Sequence, residues 1–183
     1  VKANQVRIIA GEYRRRLLSF PDAAGLRPTL DRVRETLFNW LGQTLQGVSC
    51  LDAFAGSGAL GFEAASRGAA RVLLLEKESR ALAALRRNAA ELQAVQIEVR
   101  AADALHYLAT SGERFDVIFL DPPFAADLMG RTLCLAVGCL RPEGKIYAET
   151  PAFLPEETLK ASGLKVLRQG KAGHSHYCLL ELA

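Results

Sequence analysis

The residues best suited to chemistry stand at two places where an apolar run stops. Asp121-Pro122-Pro123-Phe124 closes the run Phe115-Asp116-Val117-Ile118-Phe119-Leu120, and Asp52 through Gly61 follows Val48-Ser49-Cys50-Leu51. Each run has the length and apolar character of a buried strand, and the second breaks into a glycine-rich turn that opens a helix. An exocyclic amine on a nucleobase is a poor nucleophile, because its lone pair is delocalised into the ring. Two acceptors, here the Asp121 carboxylate and the Pro122 carbonyl, can hold the amino hydrogens and draw the nitrogen towards a tetrahedral form. Pro123 stiffens the turn, and Phe124 offers a face on which a base extruded from its neighbours could stack. A rigid strand-end turn has the same composition, so the meaning of the tetrapeptide depends on the sheet that carries it.

Gly56-x-Gly58-x-x-Gly61 matches the dinucleotide fingerprint, and Glu76 ends the next strand where that fingerprint wants an acid for a ribose. This alone does not separate a nicotinamide dinucleotide from another adenosine ligand. Asp52, immediately before the loop, would repel a pyrophosphate but could receive an ammonium directly or through water. Asp103, after the third strand, could accept a hydrogen bond from an adenine amino group. An anionic rim suits S-adenosylmethionine, whose sulfonium and ammonium are positive, better than a dinucleotide. Phe54 and Ser57 in the loop after Asp52, with Lys77 after Glu76 and Ala104 after Asp103, complete the candidate cofactor set. Each acid also has a structural role open to it: turn cap for Asp52, strand terminus for Glu76, helix N-cap for Asp103. Gly56 and Gly58 are explained by close backbone approach or a positive φ, both of which exclude a Cβ.

The elements that must position these groups alternate along the chain. The pattern predicts strand 48–53, helix 58–67, strand 71–76, helix 79–92 capped by Ser79, strand 95–101, helix 103–110, strand 115–121, helix 126–140, strand 144–149 and helix 155–161. Strands joined by helical crossovers lie parallel and give a doubly wound α/β sheet that binds ligands at its carboxyl ends. Residues 164–168 and 176–182 are two further strands with too few residues between them for a helix, hence an antiparallel hairpin. Upstream, 6–11 and 16–18 read as two short strands around a turn, and a helix is expected from Asp31 to Leu45 with Thr29 as N-cap. The expected fold is therefore Rossmann-like: a mostly parallel seven-stranded sheet with a C-terminal antiparallel hairpin, plus a small N-terminal β-hairpin and helix. Residues 1–45 would be a basic extension of a domain spanning 46–183.

Half of the 183 residues are hydrophobic, enough for one substantial core. No apolar stretch approaches the roughly 18 residues of a membrane span, and Val1-Lys2-Ala3-Asn4-Gln5 lacks the core of a signal peptide, so the expected location is the cytoplasm, away from membranes. Cys50, Cys134, Cys139 and Cys178 lie in or beside apolar segments without metal-ligand spacing, and neither they nor His106, His174 and His176 suggest a metal site. The net charge is +3, yet residues 1–40 hold eight Lys and Arg against four Asp and Glu. That asymmetry favours a polyanionic partner.

The Asp-Pro-Pro-aromatic motif behind a glycine-loop sheet resembles the class I S-adenosylmethionine-dependent methyltransferases that act on amino groups. Arg7-Ile8-Ile9-Ala10-Gly11, Gly25-Leu26-Arg27-Pro28-Thr29, Asp31 through Asn39, and Asp52 through Gly61 are similar to the RsmD family of bacterial rRNA methyltransferases, which modify a guanine N2 in 16S rRNA of the small subunit. The resemblance implies that Asp52 and the Gly56–Gly58 loop hold the methionine part of S-adenosylmethionine, Glu76 the ribose, Asp103 the adenine, and Asp121 through Phe124 the target guanine. It also implies a partner, 16S rRNA in the small subunit or an assembly intermediate, and a monomer is expected. Tyr13 with Arg14, Arg15 and Arg16 would grip RNA, while Arg32 and Arg34 help to close the active site. Gly170 through His176 match no family motif; Lys171 there is a candidate phosphate contact or a solvated lysine.

Three other readings remain open on sequence. The tetrapeptide recognises an amino group without naming the base, so adenine N6 in DNA or RNA is an alternative target. A nicotinamide-dependent oxidoreductase would use the same glycine loop, but no hydride-transfer pocket is recognisable. A non-catalytic RNA-binding protein would keep the fold and lose the chemistry.

Overall fold

The structure is a computed structural model that describes residues 4–22, 29–123 and 126–183. The chain opens with an antiparallel hairpin, β1 (Asn4–Arg7) and β2 (Leu17–Phe20), followed by helix α1 (Asp31–Trp40). Alternation then begins: β3 (Ser49–Asp52), α2 (Ala59–Ser66), β4 (Arg71–Glu76), α3 (Ser79–Leu92), β5 (Ile97–Ala101), α4 (Ala104–Thr110), β6 (Phe115–Leu120), α5 (Ala126–Gly138) and β7 (Leu140–Thr150). Helix α6 (Glu156–Ser162) leads into the hairpin β8 (Leu164–Ala172) and β9 (Ser175–Leu182).

The central strands are apolar on both faces, so the sheet has to be covered twice. Cys50, Val72, Leu74, Val117, Phe119 and Tyr147 pack on one side with α1, α2 and α3. Leu51, Leu73, Leu75, Ile118, Leu120, Ile146 and Ala148 alternate to the other side, under α4, α5 and α6. The strand order is β5-β4-β3-β6-β7-β9-β8, parallel except that β9 runs against both its neighbours. The order reverses between β3 and β6, and the crevice beyond their carboxyl ends is where an open α/β sheet takes its ligand.

The fold is the expected one, with shifts at element ends that have local causes. Helix α1 stops at Trp40 rather than Leu45, because Gly42 and Gln43 turn left-handed (φ 98° and 65°). Leu45 still reaches the core from the loop. Thr29 is not the N-cap: Leu30 holds that position with no side-chain bond. Helix α3 is capped by Glu78, not Ser79, its carboxylate accepting from Ala81 N–H. The C-terminal hairpin is longer than expected, because pairing continues from Gln169 to Ala172 as far as the Gly173-His174 turn.

The N-terminal hairpin has no core of its own. Val6, Ile8, Leu18 and Phe20 join the cluster that contains Leu37, Phe38, Phe62 and Leu85. Its docking point is the carboxyl end of α2: Tyr13 N–H donates to Ser66 Oγ, and Glu12 N–H to the Ser66 carbonyl. Gly11 (φ +83°) sits so close that a Cβ there would lie 1.8 Å from that same carbonyl oxygen.

Candidate active site

Four acids reach the carboxyl edge of the sheet on one face. By alternation Asp52, Glu76, Asp121 and Glu149 follow Cys50, Leu74, Phe119 and Tyr147, all of which face α1 to α3. Among the described residues none of the four is in an ion pair. An uncompensated acidic crevice repels a pyrophosphate and attracts a cationic ligand, as the sequence reading requires.

Asp52 is 2% exposed, and its Oδ2 accepts from Gly61 N–H at 3.1 Å. Burial pushes its carboxyl up to about 7, and the nearby Glu76 charge adds to that, against the lowering effect of the Gly61 and Phe54 amides. Glu76 wraps the glycine loop: Oε2 accepts from Gly56 N–H at 3.0 Å, while Oε1 accepts from Lys77 and Glu78 N–H, both at 2.8 Å. A carboxylate has about four lone-pair positions, so one remains for a hydroxyl. Gly56 and Gly58 both have positive φ, 51° and 81°. At Gly58 a Cβ would also strike Phe62 and Leu85, so packing demands this glycine apart from any ligand. Ser57 is buried beside it and Phe54 half-buried.

Asp103 takes the helix-cap role open to it, and pairs with Lys77 besides. It caps α4 through His106 N–H at 3.0 Å, and its other oxygen lies 3.5 Å from Lys77 Nζ. The His106 amide, followed by Lys77, holds its carboxyl below the usual range. Lys77 is exposed; Ala104 is buried as the first residue of α4.

Asp121 and Pro122 are half-buried and Pro123 is exposed at the end of β6, while Phe124 lies outside the described residues, as do Gly25 through Pro28. Asp121 is pushed well above the usual carboxylate range by burial, then by the charges of Glu149 and Asp52. Asp121 and Pro122 open onto a cavity of about 260 Å³ whose wall also includes Met129, Glu149, Phe153 and Pro155. Sequence reasoning missed Glu149, Tyr147 and Phe153. The available signal was positional: Glu149 ends the strand after the one that carries Asp121, two residues beyond a tyrosine on the same face.

The basic residues divide. Arg32 is exposed in the first turn of α1, close to the site edge where Thr29 adjoins Glu149. Lys171 is exposed beside the β8–β9 turn, which the pairing of Thr150 with His176 carries to the carboxyl edge as expected. Arg34 is a correction. It is fully buried, bonded to Asp31 (2.7 Å), to the Arg7 carbonyl (2.8 Å) and to Glu63 (3.5 Å), and is unavailable to RNA. Tyr13 is likewise buried, against Gln96, and cannot stack on a base. Arg14, Arg15 and Arg16 are exposed, but they sit at the carboxyl ends of α2 and α3, where Arg16 reaches the Glu91 carbonyl. The eight residues of α2 separate them from the glycine loop by about 12 Å along its axis, at the opposite edge of the sheet.

A doubly wound sheet with β9 antiparallel, a glycine loop after β3, acids ending successive strands and Asp-Pro-Pro after β6 defines a class I S-adenosylmethionine-dependent methyltransferase. Comparison with known proteins narrows that class. Residues 6–181 match the family described as Conserved hypothetical protein 95, and the chain belongs to it. The chain is 46% identical to Ribosomal RNA small subunit methyltransferase D of Escherichia coli over 81% of its length and 76% of that protein. A protein of the same name from Buchnera aphidicola is 42% identical over 90% of this chain and 84% of its own. The solved structure of Escherichia coli yhhF superposes with a TM-score of 0.86 at 38% identity, over 98% of each chain. The Thermus thermophilus 16S rRNA N2 methyltransferase RsmC, solved in complex with AdoMet and guanosine, gives 0.73 at 27% identity over 98% of this chain and 49% of that one.

Proposed function

We propose that the chain transfers the methyl group of S-adenosylmethionine to the exocyclic N2 of one guanine in 16S rRNA, within the small ribosomal subunit or an assembly intermediate. The supporting observation is the placement of Asp121 and the Pro122 carbonyl at the switch point, across from an acidic crevice suited to a cation. S-adenosylmethionine, when bound, supplies a methyl already activated on a sulfonium. Asp52 and the Gly56–Gly58 loop hold its methionine part, Glu76 the ribose and Asp103 the adenine, with Phe54, Ser57, Lys77 and Ala104 around them.

The chain's own work is alignment. Asp121 and the Pro122 carbonyl accept the two amino hydrogens, which turns the nitrogen lone pair towards the methyl, with Pro123 and Phe124 completing the base site. Such preorganised partners are worth about 10²-fold each, by analogy with oxyanion-hole donors. Methylation releases one proton from the amine, and the Asp121 carboxylate, made more basic by burial and by the charges of Glu149 and Asp52, takes it. Arg32 and Lys171 meet phosphates at the site edge. No helix among the described residues is long and apolar enough to cross a membrane. The protein acts as a monomer in the cytoplasm, its first 45 residues serving as an extension of the 46–183 domain.

Asp121→Ala tests this reading. S-adenosylmethionine affinity by calorimetry should stay within about threefold, while labelled methyl transfer to small subunits falls by about 10²-fold or more. Undiminished transfer, or binding of a nicotinamide dinucleotide in place of S-adenosylmethionine, would contradict it.

A further inference from the structure

We propose that Glu149 reads the identity of the target base, its carboxylate accepting the N1–H of guanine while Asp121 and the Pro122 carbonyl take the N2 hydrogens. The inference rests on the guanine reading above and deepens it. Glu149 and Asp121 follow Ala148 and Leu120, which are register partners on adjacent parallel strands, so the two acids stand side by side. Both line the cavity of about 260 Å³, many times the roughly 30 Å³ of a water molecule, and it takes a ring system. Phe153, half exposed and edge-on to His176 at 4.5 Å between ring centroids, gives that cavity an aromatic wall.

The orientation of Glu149 is fixed from behind. Tyr147, buried on the same strand face, donates its hydroxyl to Glu149 Oε1 at 2.8 Å. The Thr29 side chain is a second hydrogen-bond partner of Glu149. A carboxylate has about four lone-pair positions, so acceptor capacity remains for a further N–H, and when ionised it has no hydrogen to donate. The Watson–Crick edge by which a flipped base is read carries N1–H in guanine, but an N1 lone pair in adenine. Glu149 therefore accepts from the first and repels the second. Asp121 and Pro122 alone give no such choice, since both bases carry an amine. The same logic separates guanine from 2-aminopurine, which keeps the N2 amine and lacks the N1 hydrogen.

The test uses small subunits reconstituted with guanine, 2-aminopurine or inosine at the modified position, located beforehand by mass mapping of the product. Wild-type protein should prefer guanine to 2-aminopurine by about tenfold or more in kcat/KM. In Glu149→Gln the Tyr147 hydroxyl claims the amide oxygen and turns the NH₂ towards the base. The preference should then shrink to within about threefold or invert, and Glu149→Asp should restore it in part. A purely structural role for Glu149 would slow both substrates alike and leave the ratio unchanged, which overturns the proposal. Equal use of guanine and 2-aminopurine by the wild type also overturns it. Inosine separates this failure from that of the underlying reading: it lacks the N2 amine, so methylation of inosine subunits would refute N2 transfer itself.

Discussion

Burial raises the Asp52 carboxyl to about 7, which makes cofactor binding depend on pH near neutrality. A cationic ligand favours the ionised form, so binding draws on a group that is protonated below about 7. Affinity for S-adenosylmethionine should rise between pH 6 and 8, by up to about tenfold per unit on the acid side. Calorimetry across that range checks it, and Asp52→Asn should be weak and flat. Asp52, Glu76 and Asp121 were legible in the sequence because strand ends beside a glycine loop and a Pro-Pro turn mark their own positions. Glu149 has no such marker. Arg34 was misread for a related reason: an arginine in an amphipathic first turn gives no sign that Glu63 will be buried opposite it.

Glu63 ties three elements together. Its carboxylate, fully buried in α2, accepts from Ile9 and Ala10 N–H and pairs with Arg67 (2.8 Å) and the buried Arg34. Glu63→Ala leaves Arg34 buried with one partner fewer and should destabilise by about 3–5 kcal/mol in chemical denaturation. A loss below about 1 kcal/mol would mean that the hairpin is held by its apolar contacts alone. Gly11→Ala is aimed at the same joint from the other side; the collision with the Ser66 carbonyl should expose Tyr13 and Ile8 amides to hydrogen exchange while the main sheet stays protected. Most element positions were readable from the two periodicities, 2.0 for strands and 3.6 for helices. The end of α1 was not, because Leu45 continues the apolar stripe in sequence while the chain leaves the helix at Gly42 and Gln43.

At the scale of the molecule, the acidic crevice exchanges stability for binding. The Asp52 carboxyl titrates near 7 folded and near 4 unfolded, so the unfolded chain ionises first. Stability from this group is therefore full below about 4 and declines as pH rises towards 7. Asp52→Asn keeps an acceptor for Gly61 N–H and should raise Tm at pH 8 but not at pH 4; an unchanged Tm at pH 8 would deny the burial cost. The charge asymmetry was visible in the sequence, but not its division between two edges. Charge reversal at Arg32 and Lys171 should weaken small-subunit binding and flatten its salt dependence by about one unit of slope per lost phosphate contact. Reversal at Arg14, Arg15 and Arg16, on the far edge, should cost less at equal salt; the opposite ranking would place the rRNA on the hairpin side.

The most direct measurement is transfer of labelled methyl from S-adenosylmethionine to small subunits from a strain lacking the corresponding enzyme, with free 16S rRNA and DNA alongside and the product nucleoside identified by mass. N2-methylguanosine in 16S rRNA, formed faster on subunits than on free rRNA, is the expected result. Label on adenine N6, label in DNA, or no transfer despite cofactor binding would contradict it.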